Sequence, residues 1–308
     1  MRALVTTGPQ GPGLILAEVE NPQPRSDEVT VRLRATSLNL GEVRHLREAE
    51  PGVVLGWDVA GDVVAAAADG SGPPVGSRVV GIVGAGAWAE QVAVPAHALA
   101  MIPDEVSDTS AAVLPIAGLT AWRALELGGF LLGRRVLVTG AAGGVGRLAV
   151  QLASLSGAHV TGVVSRPERA VGLVELGATE IAVGMHAATG RFDVVLESVG
   201  GASMARALDL LADDGVLVTY GRSAGEPAPI DPVWFGDHSG ARMVGLLVFT
   251  EVKSRRLGTK QLELLLTLLA AGRLDPQISA TAPWDRAMPL VDALIAREVS
   301  GKAVLVVD

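Results

Sequence analysis

The chain has 308 residues, room for about two domains, and its balance of 49% apolar to 19% charged residues excludes a disordered chain. A formal charge of −8 without a Lys/Arg run argues against nucleic acid and anionic membranes as partners. The absence of cysteine excludes disulfides, thiolate metal sites and a cysteine nucleophile.

Aromatics are only 3% of the chain, so its cores must be aliphatic. The first residues, Met1 to Gly8, read as a strand and a turn rather than a signal peptide. No apolar run reaches the roughly 18 residues of a membrane span. A soluble, cytoplasmic protein is therefore expected. Val29 to Thr36 alternates with period two, as a half-buried strand does, and Val59 to Ala67, Arg78 to Val83 and Glu90 to Val94 are further strand candidates. Turns such as Gly70-Ser71-Gly72-Pro73-Pro74 separate them, which suggests a small barrel-like β domain. Near Pro115 the pattern changes. Ile116 to Leu127 has helical spacing. Strand candidates at Arg135–Thr139, His159–Val164, Phe192–Glu197, Gly215–Tyr220 and Met243–Val248 then follow. Helical stretches at Gly146–Leu155, Arg166–Leu176 and Ser203–Leu211 lie between them. Runs such as Val136-Leu137-Val138 are apolar on both faces, as parallel strands covered by helices on each side must be. The remainder holds helices at Thr259–Ala271 and Pro289–Arg297 and a last strand, Ala303–Val307.

The strongest local signal is Gly140-Ala141-Ala142-Gly143-Gly144-Val145-Gly146, set between a strand and a helix. Gly143 and Gly144 leave room for a pyrophosphate to approach backbone N–H groups, with Val145 beside them. The helix N-terminus adds partial positive charge, and Gly146 lets the helix pack close to the strand. The bland alternative is a tight turn that binds nothing. The second strand, His159 to Val164, ends in Ser165-Arg166-Pro167-Glu168-Arg169. Ser165, Arg166 and Arg169 suit a 2′-phosphate, which makes NADP(H) the expected cofactor. Glu168 is the dissenting residue, able to hold an NAD ribose if the strand ends later, and the arginines could be an ordinary charged helix start.

The chain resembles a zinc-independent medium-chain dehydrogenase/reductase of the quinone oxidoreductase and enoyl reductase group. The likeness rests on Ser37-Leu38-Asn39-Leu40-Gly41-Glu42, Leu55 to Val63, Ala87-Trp88-Ala89-Glu90, Leu114 to Ala121, the glycine turn, Leu176-Gly177-Ala178, Phe192 to Gly201 and Gly301 to Leu305. It implies an α/β fold in which a GroES-like β-barrel catalytic domain (1–115, completed by 250–308) accompanies a Rossmann doubly wound parallel sheet (116–249). The active site would lie between the two. Asn39 matches the group's cleft asparagine, and Thr120 a threonine near the nicotinamide amide. Val199, Tyr220, Gly221 and Phe249 match loops lining the nicotinamide side, and Lys302 matches a lysine near the cofactor. Each has a plainer reading: Asn39 as a turn cap, Thr120 as a helix-start hydroxyl, Lys302 as a solvated lysine.

The zinc alcohol dehydrogenases carry a Cys at Ser37-Leu38-Asn39 and a Gly-His-Glu at Gly56-Trp57-Asp58, so no metal is expected. The resemblance implies hydride transfer from NADPH to a quinone or an α,β-unsaturated carbonyl compound, and a homodimer paired through Rossmann edge strands. Many relatives have a Tyr shortly after the asparagine. This chain has Glu42-Val43-Arg44-His45, followed by a short loop to Leu55. Arg44 and His45 are the candidates to stabilise developing oxyanion charge, with plain surface charge as the competing reading. A cyclisation or dehydration on the same fold, or NADPH binding without catalysis, are the alternative functions.

Overall fold

A computed structural model describes residues 1–307 except Arg47 and Pro232, with Phe235 described by its backbone alone. In chain order the strands are β1 (Arg2–Thr6), β2 (Leu14–Glu18), β3 (Glu28–Leu38), β4 (Asp58–Ala65), β5 (Arg78–Ile82), β6 (Gln91–Pro95), β7 (Leu99–Met101), β8 (Arg135–Thr139), β9 (His159–Val164), β10 (Glu180–Val183), β11 (Phe192–Glu197), β12 (Leu211–Thr219), β13 (Arg242–Gly245), β14 (Ile278–Pro283) and β15 (Lys302–Val306). The α-helices are α1 (Leu40–His45), α2 (Asp108–Ala111), α3 (Leu119–Gly128), α4 (Gly144–Leu155), α5 (Gly201–Asp209), α6 (Val248–Lys253), α7 (Thr259–Ala270) and α8 (Ala287–Ile295). The chain forms two compact units, Met1–Leu119 with Phe249–Asp308, and Thr120–Val248.

The first unit is built on a sheet of order β14-β15-β3-β4-β5-β7, with β6 also paired to β3 and a separate β1-β2 hairpin. The long strand β3 is its hub, antiparallel to β15, β4 and β6. At Gly61 of β4 a Cβ would stand 1.9 Å from the Arg32 carbonyl oxygen of β3. Only glycine allows the two backbones to approach there. The core is aliphatic, with Val31, Leu33, Val59, Val79 and Leu305 packed around Trp88 and Trp284.

The second unit is a six-stranded, all-parallel sheet of order β10-β9-β8-β11-β12-β13. Val136, Leu137 and Val138 of β8 and Val195 and Leu196 of β11 are fully buried. The strand order reverses between β8 and β11, the topological switch point at which open α/β sheets bind ligands. The glycine turn leaves β8 at that point, and α4 starts from it.

Several expected elements change. Arg166 to Leu176 is no regular helix: a 3-10 turn, Pro167–Ala170, ends at Val171, which is extended, and Gly172 follows at φ +80°. Two β-branched valines and a left-handed glycine defeat its helical spacing. The expected strand Met243–Val248 stops at Gly245, and α6 begins at Val248. The short α1 and the strands β2, β10 and β14 add to the expected set.

Candidate active site

In the first unit, β3, α1, β4 and β15 bring five polar side chains into one buried cluster. Asn39 follows β3 and is the N-cap of α1. Its Oδ1 accepts from Lys302 Nζ at 2.7 Å, while its Nδ2 donates to Asp58 Oδ2 at 2.8 Å and to Glu42 Oε1 at 3.2 Å. An ammonium only donates and a carboxylate only accepts, so these partners fix which way the carboxamide faces. Lys302 Nζ also donates to the Leu38 carbonyl at 3.1 Å and lies 3.7 Å from Asp58 Oδ2. Asp58 is further held by the Ser37 hydroxyl, which donates to its Oδ2, and by the Ile116 N–H, which donates to its Oδ1 at 2.8 Å. Asn39 and Lys302, singled out separately in the sequence, thus meet. Their side chains are saturated by the cluster rather than solvated.

The cluster holds two carboxyl groups and one ammonium, all buried. Lys302 lies beside Asp58, which takes three hydrogen bonds, so Asp58 carries the negative charge. Burial pushes the Asp58 carboxyl up, and Lys302, Ser37, Asn39 and Ile116 oppose the shift. Glu42 receives both of its bonds on Oε1, from the N–H and Nδ2 of Asn39, and its Oε2 is buried without a partner. Burial first, and then Asp58, holds its carboxyl well above the ordinary value. Of the two carboxyls, Glu42 is thus the one that burial and Asp58 push towards its neutral form.

That assignment predicts a pH dependence. The folded-state value of Glu42 is raised above the ordinary 4.5, so the folded chain keeps a proton that the unfolded chain releases. The resulting stability is lost as pH rises above that value. Glu42→Gln keeps a neutral side chain and removes the titration. Its urea midpoint, compared with the wild type from about pH 4.5 to about pH 7, should gain steadily. A constant difference would rule the neutral acid out.

Arg44 and His45 are exposed at the end of α1. The guanidinium of Arg44 lies near that of Arg297, whose proton is loosened first by burial and then by Arg44. The His45 ring stands edge-on to Trp57, with centroids 6.1 Å apart. Phe249 also meets Trp57, at 5.0 Å and 72°.

In the second unit the glycine turn closes through Gly143 N–H to the Gly140 carbonyl at 2.9 Å. Gly143 is the N-cap of α4. A Cβ at Gly146 would lie 2.4 Å from the Gly140 oxygen, so the turn is drawn tightly under the helix. The leading N–H groups of α4 have no intrahelical acceptor and suit an anion. Ser165 and Arg166 are exposed directly after β9, with Arg169 one turn further on, half-buried. Thr120 is buried in the first turn of α3. Across the switch point, Glu197 ends β11. It accepts the N–H groups of Val199 and Gly200 and the hydroxyl of Ser203, which ties the loop carrying Val199 to the end of β11. Burial raises the Glu197 carboxyl against these donors. Gly221 passes so close that a Cβ would meet the Ser198 carbonyl oxygen at 2.9 Å, and Tyr220 N–H bonds the Glu197 carbonyl. The Tyr220 hydroxyl is buried, which raises its pKa.

Sequence reasoning missed Glu42, Asp58 and Glu197 as organising groups. Glu42 had a visible signal, since a carboxylate three residues after a helix-capping Asn is a capping pattern. The partnership of Asp58 with Lys302 spans the chain and had none. Among the described residues, no group of His, Asp and Glu could hold a metal ion, and no helix is long and apolar enough to cross a membrane.

Two family models match the chain: an alcohol dehydrogenase GroES-like domain over residues 25–104 and a zinc-binding dehydrogenase over residues 144–256. Prostaglandin reductase-3 of Mus musculus is 33% identical over 68% of this chain and 59% of its own length. A phenolphthiocerol/phthiocerol polyketide synthase of Mycobacterium tuberculosis is 32% identical over 67% of this chain. The chain spans about a tenth of that synthase polypeptide. Among solved structures, the quinone oxidoreductase from Coxiella burnetii superposes with a TM-score of 0.84 at 27% identity, covering 100% of this chain and 99% of that one. A mycobacterial protein solved with NADPH superposes with a TM-score of 0.88 at 26% identity, covering 99% and 100%.

Proposed function

Because the chain belongs to the medium-chain dehydrogenase/reductase family, in its quinone oxidoreductase and enoyl reductase group, we propose that it is an NADPH-dependent reductase of quinones or α,β-unsaturated carbonyl compounds that works without zinc. The observation that carries this reading is the saturated cluster of Ser37, Asn39, Asp58 and Lys302. The positions that hold zinc ligands in the alcohol dehydrogenases here carry Ser37 and Trp57, and an indole cannot ligate a metal. The ammonium of Lys302 supplies the buried positive charge. NADPH bound to the chain supplies a hydride, and the substrate takes that hydride and one proton.

The α4 N-terminus and the Gly143 to Val145 backbone bind the pyrophosphate, and Ser165, Arg166 and Arg169 bind the 2′-phosphate. Thr120, Val199, Tyr220, Gly221 and Phe249 line the nicotinamide. Lys302 and Asp58 hold Asn39 in one orientation. Arg44 and His45 are the candidates to stabilise developing negative charge on the substrate oxygen. Pairing of two copies along the edge strand β13, where Met243 is exposed, belongs to the same proposal.

The test is turnover of NADPH with a quinone and with an enone, joined to a cofactor comparison. Charge-assisted hydrogen bonds contribute about 1.5–3 kcal/mol, and Arg166 is exposed, so the low end applies. Arg166→Ala should weaken NADPH binding about tenfold and leave NADH nearly unchanged. Equal effects on the two cofactors would remove Arg166 from the phosphate site. A wild type that oxidises NADPH with neither substrate would overturn the reductase reading.

A further inference from the structure

Aromatic side chains are rare here: five Trp, four Phe and one Tyr in 308 residues. Three ring pairs occur among the described residues, and two of them share Trp57. Phe249 meets the indole at 5.0 Å and 72°, and His45 meets it at 6.1 Å and 78°. Both are edge-to-face arrangements, which aromatic quadrupoles favour. The far end of the indole rests on α1 at Gly41, where a Cβ would stand 2.7 Å from Trp57 Cη2. Gly41 therefore makes the room the indole occupies. It lies between Asn39 and Glu42, so the indole sits on the segment that carries the buried cluster.

Trp57 packs against Phe249, His45 and Gly41, yet it is only half-buried, as is Phe249, and His45 is exposed. The indole N–H has no hydrogen-bond partner among the described residues and is not one of the buried unsatisfied atoms. Trp88 and Trp284 bury their rings, whereas Trp57, like Trp122 and Trp234, is partly exposed. Trp57 presents a braced surface with an open donor at its rim.

We propose that Trp57, braced by Phe249 and His45, is a specificity-determining residue. It selects substrates whose reducible carbonyl is part of, or conjugated to, a planar ring over short aliphatic enones. The proposal rests on the reductase reading and names its substrate class. A quinone ring is electron-poor and flat, an indole is electron-rich and flat, and their quadrupoles are complementary. The rim N–H can donate to a carbonyl oxygen. A surface already fixed by its neighbours loses little freedom on binding, so contact area is converted to affinity with small ordering cost. An aliphatic enone of four carbons has no ring to place against it.

The experiment measures kcat/KM for 2-methyl-1,4-naphthoquinone and for methyl vinyl ketone in wild type, Trp57→Leu, Trp57→Phe and Phe249→Leu. NADPH affinity is measured in each. The ratio of the quinone to the enone should fall about tenfold in Trp57→Leu, the effect of ~1.4 kcal/mol. It should fall less in Phe249→Leu and recover largely in Trp57→Phe. A ratio unchanged in Trp57→Leu, or a loss that follows NADPH affinity for both substrates alike, overturns the proposal. Calorimetric binding of the naphthoquinone to the protein without NADPH separates the two readings. If the wild type reduces neither compound, the reductase reading fails, and binding about tenfold tighter to wild type than to Trp57→Leu still supports the aromatic surface. Equal binding then overturns it. Should Trp57→Leu not fold, Trp57→Phe and Phe249→Leu decide by the same ratio.

Discussion

Lys302→Met should cost about 3–5 kcal/mol of stability at neutral pH, the penalty for leaving one partner of a buried ion pair uncompensated. The side chain is almost wholly buried and directs its ammonium at Asn39 Oδ1, the Leu38 carbonyl and Asp58. Methionine fills a similar volume, so packing changes little and the cost is electrostatic. Asp58 would keep the donors Ser37, Asn39 and Ile116 but lose its counter-charge. Its carboxyl, already pushed up by burial, would rise further. The sign follows: a carboxyl whose folded value is raised loses stability as pH rises through the window above its ordinary 3.8. The deficit of Lys302→Met should therefore shrink when urea unfolding is repeated in mild acid, where Asp58 can take up a proton. A deficit below about 1 kcal/mol at neutral pH, the scale of an exposed pair, would show that the cluster is not the closed charge system described above.

The contrast between what the sequence discloses and what it hides has a physical origin. The strands β8 and β11 were legible because both faces are covered, so Val136-Leu137-Val138 and Val194-Val195-Leu196 had to be apolar throughout. The glycine turn was legible because its glycines answer local steric demands, as the positive φ of Gly140 and the 2.4 Å from a Cβ at Gly146 to the Gly140 oxygen show. The buried cluster was not. Lys302 and Asp58 look like ordinary charged residues at strand ends, and their burial follows only when β15 pairs with β3 and β3 with β4. That pairing joins residues 264 apart at the Lys302–Leu38 hydrogen bond. The helical spacing between Arg166 and Leu176 misled for the opposite reason. Its apolar positions fit a helix, but Gly172 in the left-handed region ends it. Trp57 was visible as a departure from zinc-ligand chemistry, whereas its partners Phe249 and His45 lie on separate elements and could not be paired with it by spacing.

Gly146→Ala should lower NADPH affinity by about 100-fold or more, with a stability loss of only about 1–3 kcal/mol, the usual range for overpacking. The added methyl would meet the Gly140 carbonyl oxygen at 2.4 Å, Ala141 Cα at 2.7 Å and Ala141 C at 2.9 Å. All three are backbone atoms, so no side-chain rotation relieves the contact. Either the turn opens or α4 lifts from β8, and both move the Gly143 to Val145 amides relative to the β8 end that orients them. Losing two charge-assisted hydrogen bonds at about 1.5–3 kcal/mol each accounts for the affinity change at about 1.4 kcal/mol per tenfold. The affinity and the urea midpoint should thus separate, the first collapsing while the second moves modestly. Fluorescence titration with NADPH, alongside urea unfolding of the same variant, reads both. A dissociation constant close to that of the wild type in a folded Gly146→Ala protein would mean that the pyrophosphate does not sit on this turn, and the cofactor site would have to be sought elsewhere along the switch point.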